Sequence, residues 1–255
     1  ITRALAEPGP RAAAPFGVNL IVHHTNPLLD RHVDLCIKHR VPIVITSLGC
    51  RPEVNDAITA YGGIVLHDVT TMEHAKKALD RGASGLIAVA NGAGGHAGRL
   101  SPIAFVEDIR RIWNGPLVLS GAMSSGRDLV AAHALGADMG YMGTRFIASS
   151  DSDAPDAYRQ MLLTAEAADI VYTDRVSGTH ANFLAQSLTR AGIPLDGGPV
   201  EEKIAMMDEA KAWRDIWSAG HGVGPIQSIQ TTETIVADLE REYHAALDRI
   251  AALRH

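Results

Sequence analysis

Residues 86 to 98, Leu-Ile-Ala-Val-Ala-Asn-Gly-Ala-Gly-Gly-His-Ala-Gly, join an apolar run of strand type to a glycine-rich loop. His96 is the only titratable side chain in that loop. Glycines at 92, 94, 95 and 98 let the backbone take positive φ and approach a flat or anionic ligand. A histidine so placed can exchange a proton near neutral pH or, as a cation, hold an anionic oxygen. The same residues also read as a tight turn with a solvent-facing histidine.

A place for an anion is written further along. Ser120-Gly121-Ala122 precedes a helix expected from about Ser125 to Leu135, and Gly143-Thr144-Arg145 closes a strand near Met139 to Met142. Backbone N–H groups at such βα turns form phosphate sites in barrel proteins. Near the end of the chain, Ile216-Trp217-Ser218-Ala219-Gly220-His221-Gly222-Val223-Gly224 carries an aromatic ring, a hydroxyl and a histidine among glycines, a loop able to fold over a ligand or to serve as a connector.

Other chemistries are disfavoured. Lysines 38, 76, 77, 203 and 211 all fall in expected helices, so no lysine stands at a strand end to form a Schiff base. Asp68 is the lone strand-end carboxylate, which argues against a metal pair. His23-His24 would point to opposite faces of a strand and has no evident third ligand. Cys36 and Cys50 read as free thiols. No metal is expected, and the hard chemistry falls to an organic cofactor.

The elements that must position these residues alternate. Strands are expected at 15–22, 42–47, 64–67, 86–90, 116–120 and 139–142, with amphipathic helices between them, the pattern of a parallel sheet with right-handed crossovers. Residues 78–85 and 132–139 repeat the same helix end, glycine stop and strand entry. In such a sheet ligands sit at the carboxyl ends of the strands, which selects Asn19, Ser47, His67, Asp68, His96, Ser120, Gly121, Tyr141, Gly143 and Thr144. A (β/α) barrel and a doubly wound sheet both fit the periodicity. Beyond residue 150 the pattern changes. Helices are expected at 154–168, 180–191 and 199–213 with no strand among them, so 151–215 reads as a helical insertion or lid. Residues 1–150 and 216–255, ending in a helix near 234–253, form the main domain.

The net charge of −6 without like-charge blocks gives no basis for nucleic-acid binding. No apolar run approaches membrane length. The chain start has no signal-peptide layout, so a cytoplasmic location is expected. The expected partner is a small-molecule substrate, with a homodimer as the self-association considered.

Several segments together resemble the nitronate monooxygenase family, formerly 2-nitropropane dioxygenase. They are Pro-Phe-Gly-Val-Asn-Leu at 15–20, Ala-Gly-Gly-His-Ala-Gly at 93–98, Leu-Ser-Gly-Ala at 119–122, Met-Gly-Thr-Arg-Phe at 142–146 and Trp-Ser-Ala-Gly at 217–220. The resemblance implies an α/β TIM (β/α)8-type barrel that binds FMN without a metal. Asn19 and Gly94 would lie against the flavin, and Gly121, Ala122, Gly143 and Thr144 would hold its phosphate. Gly95, Ser120 and Asp68 count among the cofactor contacts. His96 would be catalytic or substrate-orienting, and Ser218, grouped with it, would border the substrate pocket.

The chain departs from its relatives at three places in these motifs. Asp68 stands where many have lysine, Ala122 replaces the second glycine of Ser-Gly-Gly, and Asn91-Gly92 replaces an acidic residue. Relatives also begin with two further strands. Only six of eight are evident here, so either the first two are missing from the sequence or the barrel is open and flavin binding is compromised. The implied reaction is oxidation of an alkyl nitronate with O₂ to a carbonyl compound and nitrite. The alternatives are an FMN-dependent NAD(P)H reductase of an enoyl thioester or quinone and, in a different class, a flavin-free partner-binding pseudoenzyme.

Overall fold

Short runs of valine, isoleucine and leucine between amphipathic helices build the first half of the chain. A computed structural model describes residues 15–176, 178–196 and 214–254. The first half runs β1 (Gly17–Ile21), α1 (Leu29–Lys38), β2 (Ile43–Ser47), α2 (Pro52–Thr59), β3 (Ile64–Val69), α3 (Met72–Asp80) and β4 (Gly85–Val89). Next come β5 (Gly95–His96), α4 (Pro102–Arg110), β6 (Leu117–Ser120), α5 (Gly126–Leu135), β7 (Met139–Tyr141) and the short α6 (Thr144–Ile147). The strands form a sheet in the order β1-β2-β3-β4-β6-β7. The pairings from β1 to β4 are parallel. This is the α/β alternation of a TIM-barrel-type fold, with six strands in the sheet.

Two compact units divide the chain, Ile1–Ala88 with Asp108–Val118 and Val89–Glu107 with Leu119–His255. In the first, the register pairs Thr46 with His67 and Leu20 with Thr46. Leu20, Val44 and Val65 therefore share one sheet face, and they pack with Leu29, Cys36, Val54 and Ile58 of α1 and α2. Ile58 is fully buried, so its truncation to alanine would cost about 2–5 kcal/mol. Thr71 caps α3 by accepting the His74 amide at 3.1 Å, as the threonines at 70 and 71 predict.

The second unit contains the rest of the chain. Here α7 (Asp156–Thr164) is followed by β8 (Ile170–Thr173), β9 (Ala181–Leu184) and α8 (Ala185–Arg190), and a long helix α9 (Thr232–Ala251) ends the described part. The expectation of helices alone in this segment is corrected. β5, β9 and β8 make an antiparallel three-stranded sheet, with β9 in the centre. Ala-Asn-Phe-Leu at 181–184 is buried throughout, and a short all-buried run has no periodicity that separates strand from helix. Ile-Val-Tyr-Thr at 170–173 did carry a strand signal in its β-branched and aromatic content. The helix expected at 199–213 lies outside the described residues.

Candidate functional site

Within the second unit, the loops after β4, β6 and β7 and the segment 218–222 enclose a cavity of about 300 Å³. Its wall includes Gly94, Ser120, Gly121, Ala122, Gly143, Thr144 and Ser218, all of them marked by the sequence, together with Tyr141 from the strand-end set. Met123, Met142 and Ile147 add apolar surface. Met142 stands in the motif at 142–146, whereas Met123 and Ile147 lie just outside the motif segments and carried no signal of their own. No Lys, Arg, Asp or Glu is among the described lining residues.

Three loops are tied together at the Gly92 carbonyl, which accepts the Ala122 amide at 3.0 Å and the His221 amide at 2.9 Å. A second tie joins Thr144, only 8 % exposed, to the loop at 220: its Oγ1 accepts the Gly220 amide at 2.9 Å. These ties explain the glycines. A Cβ at Gly220 would stand 2.5 Å from the Gly92 carbonyl oxygen, and one at Gly94 would stand 2.9 Å from the Gly220 nitrogen. Both glycines are therefore required by loop-on-loop packing, before any ligand is considered. Gly143 differs, since a Cβ there would meet nothing within 4 Å. Gly94 and Gly143, which have no side chain, are exposed, which leaves their backbone open to a ligand, and Ala122 is exposed beside them.

The α5 N-terminus does not serve as the anion site that its sequence position suggests. Asp128 accepts the amides of Ser124 and Ser125, each at 2.8 Å, and Glu242 of α9 accepts the Gly126 amide at 2.8 Å. These three donors are spent on carboxylates, whose charge would repel a phosphate. α9 also crosses here so closely that a Cβ on Gly126 would lie 2.2 Å from the Leu239 carbonyl oxygen. An anion is left with the turns at Gly121 and at Gly143-Thr144.

His96 is held beside the cavity and is not among its lining residues. It lies in β5, paired with Ala181, while Gly95 pairs with Asn182. Around it the loop is pinned: Asn91 N donates to Leu100 O at 2.8 Å, Gly98 N to Val89 O at 3.2 Å, and the Tyr172 hydroxyl to Ala97 O at 3.0 Å. Ser218 is positioned from behind by its neighbour. Trp217 stacks with Tyr158 at 4.9 Å, lies under the Arg190 guanidinium at 3.6 Å, and donates its amide to Ser187 Oγ at 2.7 Å. The Tyr158 hydroxyl donates to the Ser218 carbonyl. Burial pushes the Tyr158 phenol up to about 12, so it remains a donor at any physiological pH.

Asn19 and Asp68 belong to the first unit. There they share a sheet face with Ser47, whose hydroxyl donates to Asn19 Oδ1 at 3.2 Å. Burial pushes the Asp68 carboxyl above its ordinary range, opposed by a hydrogen bond with Ser47, by its own backbone and by the charge of His74. His67 lies on the other face. β3 continues past it to Val69, so it sits inside the strand and faces the helices, 6 % exposed, with Nδ1 2.6 Å from Thr46 Oγ1. It is therefore not on the face that Asn19, Ser47 and Asp68 share. Burial, then the charge of His74, lowers its pKa to about 4. Cys36 and Cys50 are both free, buried thiols. Among the described residues no cluster of three or more His, Cys, Asp or Glu could hold a metal, and no helix is long and apolar enough to cross a membrane.

Strand-end loops that surround a cavity of backbone and hydroxyl groups place the chain among TIM-barrel-type proteins. The solved structures with this fold include FabK from Thermotoga maritima, 26% identical with a TM-score of 0.77, which covers 95% of this chain and 80% of that one. Another is a nitroalkane oxidase from Streptomyces ansochromogenes, 23% identical with a TM-score of 0.73 over 87% of this chain and 69% of that one. The nitronate monooxygenase family profile matches residues 14–241, and the chain belongs to that family of FMN-dependent oxidoreductases.

Among curated relatives, the 5-hydroxy-7a-methyl-1-oxo-octahydro-1H-indene-4-carboxyl-CoA dehydrogenase of Rhodococcus jostii is 29% identical over 177 residues, 69% of this chain and 50% of that protein. A nitronate monooxygenase of Paraburkholderia phytofirmans is 26% identical over 205 residues, 73% of this chain and 56% of that protein. The chain spans about half the length of these relatives.

Proposed function

We propose that this chain forms the flavin and substrate site of an FMN-dependent enzyme that oxidises a small carbon acid, an alkyl nitronate in the first reading. The observation that carries this is the cavity itself. It offers four hydroxyl side chains (Ser120, Tyr141, Thr144 and Ser218) and the exposed residues Gly94, Ala122 and Gly143, with Met123, Met142 and Ile147 as apolar surface. A flavin presents both characters, a phosphate and hydroxyls at one end and a flat apolar ring at the other, so the residues fit the group. FMN, when bound, supplies the electron acceptor. Gly121, Gly143 and Thr144 would hold its phosphate through backbone amides and the Thr144 hydroxyl proton, since that hydroxyl oxygen already accepts Gly220 N–H. Ser218 would orient the substrate, and His96 would take the α-proton of a neutral nitroalkane on a ring nitrogen or, protonated, hold the oxygens of the nitronate.

A second reading has support of its own. The FabK likeness and the carboxyl-CoA dehydrogenase relative favour a substrate in which a thioester acidifies the carbon, with NAD(P)H as a possible electron donor. Anaerobic stopped-flow spectroscopy on the purified protein separates the two. A flavin band near ~450 nm that bleaches on mixing with a nitronate supports the first reading. Bleaching by NAD(P)H or by an acyl thioester, with none by nitronate, replaces it with the second. A protein that takes up no FMN ends both in favour of the flavin-free alternative.

A further inference from the structure

Tyr141 closes β7, and its side chain leaves the strand on the face turned away from α5. The neighbouring glycine shows this. A Cβ at Gly140 would stand 2.4 Å from Leu129 Cδ2 of α5 and 3.4 Å from Met123 Sδ, so that face is filled by the helix. Alternation along the strand sends Met139 and Tyr141 to the other face, where they are 48 % and 46 % exposed. Most of a tyrosine's surface belongs to its ring, so an exposure near half opens the phenol itself. Tyr141 also lines the cavity, with Met142, Gly143 and Thr144 following it along the wall. Among the described lining residues it is the one aromatic side chain and the one that can ionise, because no Lys, Arg, Asp, Glu or His is there.

The substrate of either reading carries or acquires negative charge on oxygen. A nitronate is an anion when it binds, and a thioester becomes an enolate when its α-proton leaves. An anion in a cavity without a cationic side chain has to be met by neutral donors. Four hydroxyls line the wall, and the phenol is the most acidic of them, hence the strongest donor to an anion, with the longest reach from the backbone. The Thr144 oxygen already accepts Gly220 N–H, and His96 is outside the lining set.

We propose that Tyr141 is the oxyanion-binding residue of this site: its phenolic O–H donates a hydrogen bond to the negatively charged oxygen of the substrate and keeps its proton. The ligand class is the oxyanion of a small carbon acid, either a nitronate or the enolate of an acyl thioester. This inference rests on the reading of the cavity as a flavin and substrate site, and it divides the work there. Tyr141 holds the oxygen, and His96 is left with the α-proton.

FMN-loaded wild type is compared with Tyr141→Phe, which keeps the ring and removes the donor. The denaturant midpoint and the FMN dissociation constant should stay close to wild type. Anaerobic stopped-flow mixing then gives a dissociation constant and a limiting rate for the substrate that bleaches the flavin. A nitronate is charged before it reacts, so its dissociation constant should rise about tenfold or more while the limiting rate is unchanged or faster. A thioester is neutral until its α-proton leaves, so the limiting rate should fall about tenfold or more with little change in the constant. Either pattern supports the proposal, and which one appears identifies the anion.

Substrate constants within about twofold of wild type overturn it, as does an FMN constant that rises about tenfold while they stay unchanged, which makes Tyr141 a flavin contact. Should the phenylalanine variant not fold, Tyr141→Gln is set against Tyr141→Met, since glutamine retains an N–H donor and methionine has none. Tighter binding or faster bleaching in the glutamine variant supports the proposal, and equal values overturn it. Wild-type protein that takes up no FMN overturns the functional reading and this one together, whereas wild type and phenylalanine variant that bind FMN and are bleached alike overturn this one alone.

Discussion

Ala122 donates its amide to the Gly92 carbonyl at 3.0 Å while holding φ at 55°, the left-handed region. Its Cβ also marks the limit on Gly92, where an added Cβ would come within 3.0 Å of it and where φ is itself +83°. An L-residue in this conformation costs roughly 1–2 kcal/mol, and glycine returns part of that through unfolded-chain entropy. Ala122→Gly should therefore stabilise the protein by about 0.5–1 kcal/mol. A denaturant midpoint that moves upward checks this, and one that moves downward would show that the Ala122 methyl makes contacts worth more than the strain.

The motif segments were readable because their chemistry is local. Ser120-Gly121-Ala122, Gly143-Thr144 and Ser218 meet in one cavity as their positions at strand ends and in the late glycine loop imply. What stayed hidden is decided by contacts distant in sequence. The α5 N-terminus looks like a free anion site until Glu242, 116 residues away, is seen to accept the Gly126 amide. The pairing of β5 with β9 gave no signal, because a two-residue strand is too short to have a pattern. His67 shows a third cause: β3 runs two residues beyond it, and that extension decides which face it takes.

His67 should make stability depend on pH. Its pKa is about 4 in the fold against 6.5 as the ordinary value, so between these pH values the folded state binds fewer protons than the unfolded chain. The stabilisation from keeping it neutral is present above pH 6.5 and is lost as pH falls toward 4. The size is about 3 kcal/mol over that window. His67→Gln removes the titration and keeps a polar partner for Thr46. Wild-type stability minus that of the variant, measured by urea titration at several pH values, should fall by that amount on acidification. A flat difference would mean that the imidazole is not held neutral. Asp68, with its raised pKa, works in the opposite sense, which is why the difference between the two proteins is the quantity to follow.

Tyr158 supports the cavity from outside, since its hydroxyl bonds the Ser218 carbonyl and its ring stacks with Trp217 in near-parallel fashion, at 12°. Tyr158→Phe keeps the stack and leaves the carbonyl without that donor, at a cost of about 1 kcal/mol. Tyr158→Ala also opens a void beside Trp217, and about 3–5 kcal/mol should be lost, as for other large aromatic truncations. The phenol titrates only near 12, so the phenylalanine effect should not vary between pH 6 and 9. Ser218 faces the cavity, so the phenylalanine variant should also weaken substrate binding several-fold with little change in FMN affinity. Urea unfolding gives the first quantity and steady-state KM the second. Lost stability with an unchanged KM would mean that the Ser218 backbone keeps its place without the phenol, leaving Tyr158 a purely structural residue.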